Sequence, residues 1–120
     1  MREYETNEIR RWQIRYIDIP FHEGCLMRGR RPGIIVSNNA NNKHSSTVEV
    51  VYLTTAQKNE LPTHVKIRST GRTSTAISEQ ISTVSIHRVG DICGVLSEYE
   101  QKSLEYAMLI SLGIIIPPVN

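Results

Sequence analysis

The feature that most limits the fold is a succession of short extended segments, each cut off by Pro, Gly or Asn, followed by one helical stretch. Trp12 to Ile19 is β-branched and aromatic and stops at Pro20, which cannot continue a ladder. Gly33-Ile34-Ile35-Val36-Ser37 reads as a buried strand that runs into Asn38-Asn39-Ala40-Asn41-Asn42, a turn-forming run. Thr47 to Thr55 is the clearest strand of all. A polar excursion from Ala56 to Leu61 precedes Pro62, His64-Val65-Lys66-Ile67 alternates, and Ser69 to Arg72 is a turn. Ala76 to Val84 and Ile92 to Leu96 are again extended. Only the last segment is helical: Ser97-Glu98-Tyr99-Glu100 is a capping-box pattern, Leu104, Ala107, Met108 and Leu112 recur at helical spacing, and Gly113 supplies the stop. Short strands closed by one terminal helix predict a small β-barrel or half-barrel with a helix packed on it.

A chain of 120 residues has room for one domain. The expected division is a flexible extension over 1–9, one domain over 10–116 and a tail over 117–120. Apolar residues at 39% and charged residues at 22% fit a globular chain that buries its own core. Cys25 and Cys93 form no CxxC pair, and His22, His44, His64 and His87 lack ligand spacing. Neither a disulfide framework nor a zinc module is expected, and no cofactor is implied. The first residues carry no apolar run, so no signal peptide is read, and cytoplasm is the default location.

The net charge of +2 excludes a polycation that holds nucleic acid by bulk charge. It also hides an asymmetry. Between Arg10 and Arg31 six arginines face two acids, a local balance of +4, whereas from Val89 onward four acids face one lysine, −3. Ten of the fourteen basic residues are Arg, which suits forked recognition of phosphate better than simple solubility. The sequence carries no Walker loop, dinucleotide fingerprint, HExxH or GxSxG. Phosphodiester chemistry here would depend on acid–base groups and cations. RNA permits that route, because its own 2′-hydroxyl can attack the adjacent phosphorus.

Four pieces, in order, resemble the MazF/PemK-type toxins of bacterial toxin–antitoxin modules. Arg31-Pro32-Gly33-Ile34-Ile35-Val36-Ser37-Asn38 is similar to the family's RPVVVVSN strand, and Leu61-Pro62-Thr63-His64-Val65 to its LPTHV. Glu79-Gln80-Ile81-Ser82-Thr83 resembles EQIRT, and Leu96-Ser97-Glu98 through Ile110-Ser111-Leu112-Gly113 resembles the last helix. The resemblance implies a mainly β (α+β) fold, a small SH3-like β-barrel of the MazF/PemK/CcdB type with short helices and a C-terminal helix. It also implies a homodimer that cleaves single-stranded RNA at specific sequences without a metal, leaving 2′,3′-cyclic phosphate and 5′-OH ends. A cognate acidic, MazE-like antitoxin would hold it in check and bind DNA with it; no membrane is involved.

By the same resemblance Arg31 contacts the scissile phosphate and stabilises the phosphorane. Thr54 donates to a phosphate oxygen or orients the 2′-hydroxyl, or else caps a turn. Glu79 serves as the base, or else as a fold-supporting carboxylate. Arg28, Arg30, Asn38, His64 and Gln80 are the expected RNA-binding side chains. Three departures from the family pattern fall where RNA is gripped: the first strand opens Arg11-Trp12-Gln13-Ile14-Arg15, the loop before Arg31-Pro32 is altered, and Ser82 replaces an arginine. Arg28 and Arg30 are expected to replace lost phosphate contacts. Two other readings stand beside the nuclease: a CcdB-like barrel that binds gyrase, and a relative without catalytic activity.

Overall fold

The computed structural model describes residues 8–19, 29–56 and 58–117 of the chain. Arg28 and the loop carrying Phe21, Cys25, Leu26 and Met27 lie outside these residues, as do 1–7 and 118–120. The elements are β1 (Gln13–Ile19), β2 (Gly29–Ile35), α1 (Asn39–His44), β3 (Thr47–Thr54), β4 (His64–Ile67), β5 (Ser74–Ser85), β6 (Val89–Val95) and α2 (Glu98–Ser111). A single 3₁₀ turn, Ile86–Arg88, links β5 to β6.

The strands form one antiparallel sheet in the order β4-β5-β3-β2-β1-β6. Its central strands are buried on both faces, which is why Gly33 to Val36 and Val48 to Leu53 read as continuous apolar runs. Ile14, Ile34, Val51, Leu53 and Ile67 point to one side, where Leu104 of α2 closes the core. Ile17, Ile35, Val48, Val50, Tyr52 and Val84 point to the other, against Ile9, Ile86 and Val89. Each such side chain contributes about 1.5–3 kcal/mol on burial. Gly33 is needed for close approach: a Cβ there would lie 3.0 Å from Ile17 Cγ1.

The sheet curls into a half-barrel. A methyl on Gly94 of β6 would lie 2.8 Å from the Ser69 carbonyl just beyond β4, so the two edge strands come close. Glu100 spans that gap. It is 7% exposed and accepts hydrogen bonds from the Arg68 amide (2.7 Å), the Ser97 amide (3.0 Å) and the Ser69 hydroxyl. Burial opposes its ionisation, but these donors outweigh burial and leave its pKa below the ordinary carboxylate value. The expected capping box at Ser97 and Glu100 is present, with one member doing double duty as the barrel's clasp.

Two local expectations change. Asn38 to Asn42 is a turn-forming run by composition, yet Asn39 to His44 is helical: Asn38 caps it, accepting from the Asn41 amide at 2.8 Å. Asn42 is buried because Ser37 satisfies it twice, by hydroxyl (2.5 Å) and by carbonyl (2.9 Å). Tertiary bonds have settled a segment with little helical preference. In α2, Leu104 and Ala107 are buried as the spacing implies, but Leu112 is 62% exposed, past the edge of the sheet. Gly113 at φ +73° ends the helix as expected. Trp12 also has a left-handed φ of +77°; its amide and carbonyl stitch the start of β1 to Ile35 (2.8 Å) and Leu96 (3.0 Å), offsetting the strain.

Candidate RNA-cleaving site

Arg31 lies near the start of β2, on the face shared with Ile17 and Gly33. Gly33 pairs with Tyr52 of β3, so in the same register Arg31 falls opposite Thr54. The guanidinium sits over the Tyr52 ring, 4.7 Å from its centroid. Tyr52 is itself almost fully buried, so it makes a rigid bed that limits the arginine's rotamers. Tyr52 was not legible as a site residue in the sequence, where it is one more strand aromatic.

Thr54 ends β3, and its hydroxyl oxygen accepts from the Ala56 amide at 3.1 Å. The turn-capping alternative is therefore realised, and it leaves the hydroxyl proton pointed elsewhere, free to donate. Thr54 stands in a row with Thr75 of β5 and Lys66 of β4, each paired with the next. A hollow of about 290 Å³ opens over this row, bordered also by Lys58 and Glu60.

Glu79 and His64 meet each other rather than Thr54. His64 Nε2 lies 2.9 Å from Glu79 Oε2, and Nδ1 lies 2.8 Å from the Asn59 carbonyl. A carbonyl only accepts, so Nδ1 carries a proton; an ionised carboxylate only accepts, so Nε2 carries one too. This arrangement favours the imidazolium over the neutral ring. The Glu79 hydrogen bond raises its pKa against the opposing effect of burial, with the Asn59 carbonyl adding to the rise. Burial opposes ionisation of Glu79, but hydrogen bonds from His64 and Thr63 leave its pKa lowered. The pair sits where β5 bulges: Ile81 faces Val51 and Ala76 faces Leu53, so residues 77–80 stand against Tyr52 alone. His64 borders a second hollow of about 240 Å³ that shares Lys58, Glu60, Lys66 and Thr75 with the first. Thr54 and His64 thus stand at opposite ends of one trough.

The sign of the pH dependence follows from both shifts. His64 has a raised pKa, so its contribution is complete below the ordinary value of 6.5 and is lost as pH rises through the raised value. That of Glu79 is present above 4.5 and is lost as pH falls through its lowered value. Thermal unfolding of the wild type and Glu79→Gln is expected to differ most between these two limits. The difference should shrink steadily toward pH 9; a constant gap across that range would show that the pair is not ionic.

Arg30 stacks on Tyr16 at 4.5 Å, on the opposite face from Arg31. Gln80 is exposed beside Glu79. Asn38 is not brought into this region: it caps α1 beyond the far end of β2. The charge asymmetry is resolved in part internally. Arg10 pairs with Glu8 at 3.6 Å, and Arg11 with Glu105 of α2 at 3.5 Å. Arg15 is buried, donating to the Gly90 carbonyl (2.7 Å) and Gln13 (2.8 Å). Two of the six clustered arginines, Arg11 and Arg15, therefore tie elements of the fold together, while the Arg10 pair is exposed and local. Burial pushes the Cys93 thiol up despite nearby Arg30, so it is no thiolate nucleophile at neutral pH.

An antiparallel half-barrel clasped by a terminal helix, with an arginine stacked on a tyrosine of the adjacent strand, is the fold of a known class of protein. Residues 10–112 match the model of the PemK-like, MazF-like toxins of type II toxin–antitoxin systems, and the chain belongs to that family. It is 32% identical over 111 residues to the Endoribonuclease MazF of Staphylococcus saprophyticus, covering 88% of this chain and 92% of that protein. Identity to the protein of the same name from Staphylococcus epidermidis is 33% over the same shares. Among solved structures, a mycobacterial endoribonuclease in complex with its cognate antitoxin superposes with a TM-score of 0.78. It is 28% identical, and the match covers 91% of this chain and 99% of that one.

Proposed function

We propose that this toxin is a metal-independent, sequence-specific endoribonuclease acting on single-stranded RNA. The observation that carries the reading is the stacking of Arg31 on Tyr52, two residues before Thr54 on the same strand face, which the register of β2 on β3 sets across from Arg31. In this reading the substrate's 2′-oxygen attacks the adjacent phosphorus and forms the O2′–P bond while P–O5′ breaks. The products are a 2′,3′-cyclic phosphate and a 5′-oxygen that takes a proton from solvent to become the 5′-hydroxyl. Arg31 offers two forked N–H donors to the oxygens that gain charge, and the Thr54 hydroxyl offers a third. Because RNA brings its own nucleophile, the reaction requires no metal-bound hydroxide. Arg31 stabilises charge rather than giving up a proton, since a guanidinium is not an acid near neutral pH.

Glu79 is assigned as the proton acceptor. It is ionised at neutral pH, and the His64 salt bridge makes it a modest base. This role requires the attacking 2′-hydroxyl to lie over Thr75, between the two ends of the trough. Gln80 and His64 are assigned to contacts with RNA flanking the cut, while Arg30, on the opposite face from Arg31, keeps that assignment from the sequence alone. Arg28 and Asn38 keep that assignment from the sequence alone, the first lying outside the described residues and the second away from Arg31.

The mycobacterial relative's complex with its cognate antitoxin supports an antitoxin as partner for this chain, and an acidic one would complement Arg31. A second copy of the chain is proposed to cover the apolar face formed by Leu109, Leu112, Ile114 and Ile116, the last 85% exposed. No helix among the described residues is long and apolar enough to cross a membrane, and action in the cytoplasm accords with an RNA substrate.

The decisive experiment is incubation of single-stranded RNA with purified protein in excess EDTA. Cleavage is expected to persist, with ends that resist 3′ ligation until the cyclic phosphate is opened and the phosphate removed. Glu79→Gln is expected to lower kcat with little change in KM. Intact RNA would remove the nuclease reading and favour a barrel that acts by binding a protein target.

A further inference from the structure

We propose that Lys66, with Thr75 and Lys58 beside it, binds the phosphate that neighbours the cleaved bond, giving the RNA backbone a track across β3, β5 and β4. This deepens the ribonuclease reading above and rests on it. The register carries the argument. Thr54 pairs with Thr75, and Thr75 pairs with Lys66. With Arg31 opposite Thr54 in the β2–β3 register, the four residues form one row over four adjacent strands. Neighbouring strands are about 4.8 Å apart, so the row runs roughly 15 Å from the first Cα to the last.

All four residues share one face. On β4, Val65 packs toward the core cluster under α2 and Ile67 is buried within it, so the intervening Lys66 points the opposite way and is exposed. The row has cations at both ends and hydroxyls between them, an arrangement that matches a backbone of phosphates and riboses better than an apolar ligand. The two hollows meet at Lys66 and Thr75. Ion pairs among the described residues join Arg10 to Glu8, Arg11 to Glu105, His64 to Glu79 and Lys102 to Glu98, and none takes up Lys66. Facing groups include one uncommitted carboxylate, Glu60, set against Lys58 on the same rim. His64 closes the far end of the trough, with both ring nitrogens taken up by Glu79 and the Asn59 carbonyl. Lys66 also follows directly on the family-like LPTHV segment and lies outside it.

The test measures affinity for a fluorescent 2′-O-methyl single-stranded RNA, which cannot be cleaved by its own 2′-oxygen, over a series of KCl concentrations. Lys66→Gln is expected to reduce the slope of log K against log salt by roughly 0.7, the value for one phosphate contact on a single strand. Lys102→Gln, on the outer face of α2, should leave the slope unchanged. An unaltered slope in Lys66→Gln overturns the inference. Cleavage of unmodified RNA by the wild type is read separately. Cleavage with an unaltered Lys66→Gln slope overturns the track alone, whereas a reduced slope without wild-type cleavage overturns the nuclease and leaves the track standing. A wild type with no salt-dependent binding overturns both.

Discussion

Replacing Arg31 with alanine is expected to lower kcat/KM for single-stranded RNA by about 10²–10³-fold, roughly 3–4 kcal/mol of transition-state stabilisation. The size of the effect follows from where charge develops. As the 2′-oxygen attacks, negative charge grows on the non-bridging oxygens, and Arg31 is held in place by its stacking 4.7 Å from the Tyr52 ring centroid. Such preorganisation matters most in the transition state, so the loss should fall on kcat more than on KM. Lysine should recover little, because it cannot fork two donors or lie flat on Tyr52. Stability offers the control: the stacking on Tyr52 is worth about 0.5–1 kcal/mol, so the variant should melt within a few degrees of the wild type. Full activity in a folded Arg31→Ala protein would remove the residue from the mechanism.

Glu100 carries the second large effect, on stability. Alanine here would remove the acceptor shared by the Arg68 and Ser97 amides and the Ser69 hydroxyl, three part-buried hydrogen bonds to a charged group worth about 1 kcal/mol or more each. Loss of half a capping box adds to this. A net destabilisation of about 3 kcal/mol is expected, or roughly 10–20 °C in Tm for a domain of this size. Glu100→Gln should fall between the two, since one of its terminal atoms is a donor facing donors. The carboxylate's lowered pKa makes its contribution complete above 4.5 and lost as pH falls through the folded-state value. The stability gap between the wild type and Glu100→Gln should therefore narrow as pH falls below 4.5, so the wild type gains less acid resistance than the gap at neutrality would suggest. Calorimetry that finds Glu100→Ala as stable as the wild type would show that the barrel's gap is held by other contacts.

Much of the architecture was legible because local chemistry and tertiary outcome agree. The β4 strand is bounded as the alternation of His64 to Ile67 implies, and Ser97, Glu100 and Gly113 mark both ends of α2. Where they disagreed, the reason is physical. Asn39 to His44 became helical because Asn38 caps it and Ser37 satisfies buried Asn42, and no local preference encodes those bonds. The arginine-rich first third looked like one basic surface, yet Arg15 is buried against β6 and Arg11 is tied to α2. Spacing cannot distinguish an arginine that grips RNA from one that grips a carbonyl.

What the sequence determined alone was the class of fold, the ends of its terminal helix, and the motifs whose resemblance placed the chain among the MazF/PemK toxins. Those depend on local propensity and residue identity, which are written in order along the chain. Register was decided only in three dimensions. The bulge at residues 77–80 shifts β5 against β3, and that shift sets Thr75 opposite Thr54 and Lys66 next in line. A slip of one residue would have turned Lys66 into the core. Strand pairing joins positions far apart in sequence, through contacts that no single segment specifies.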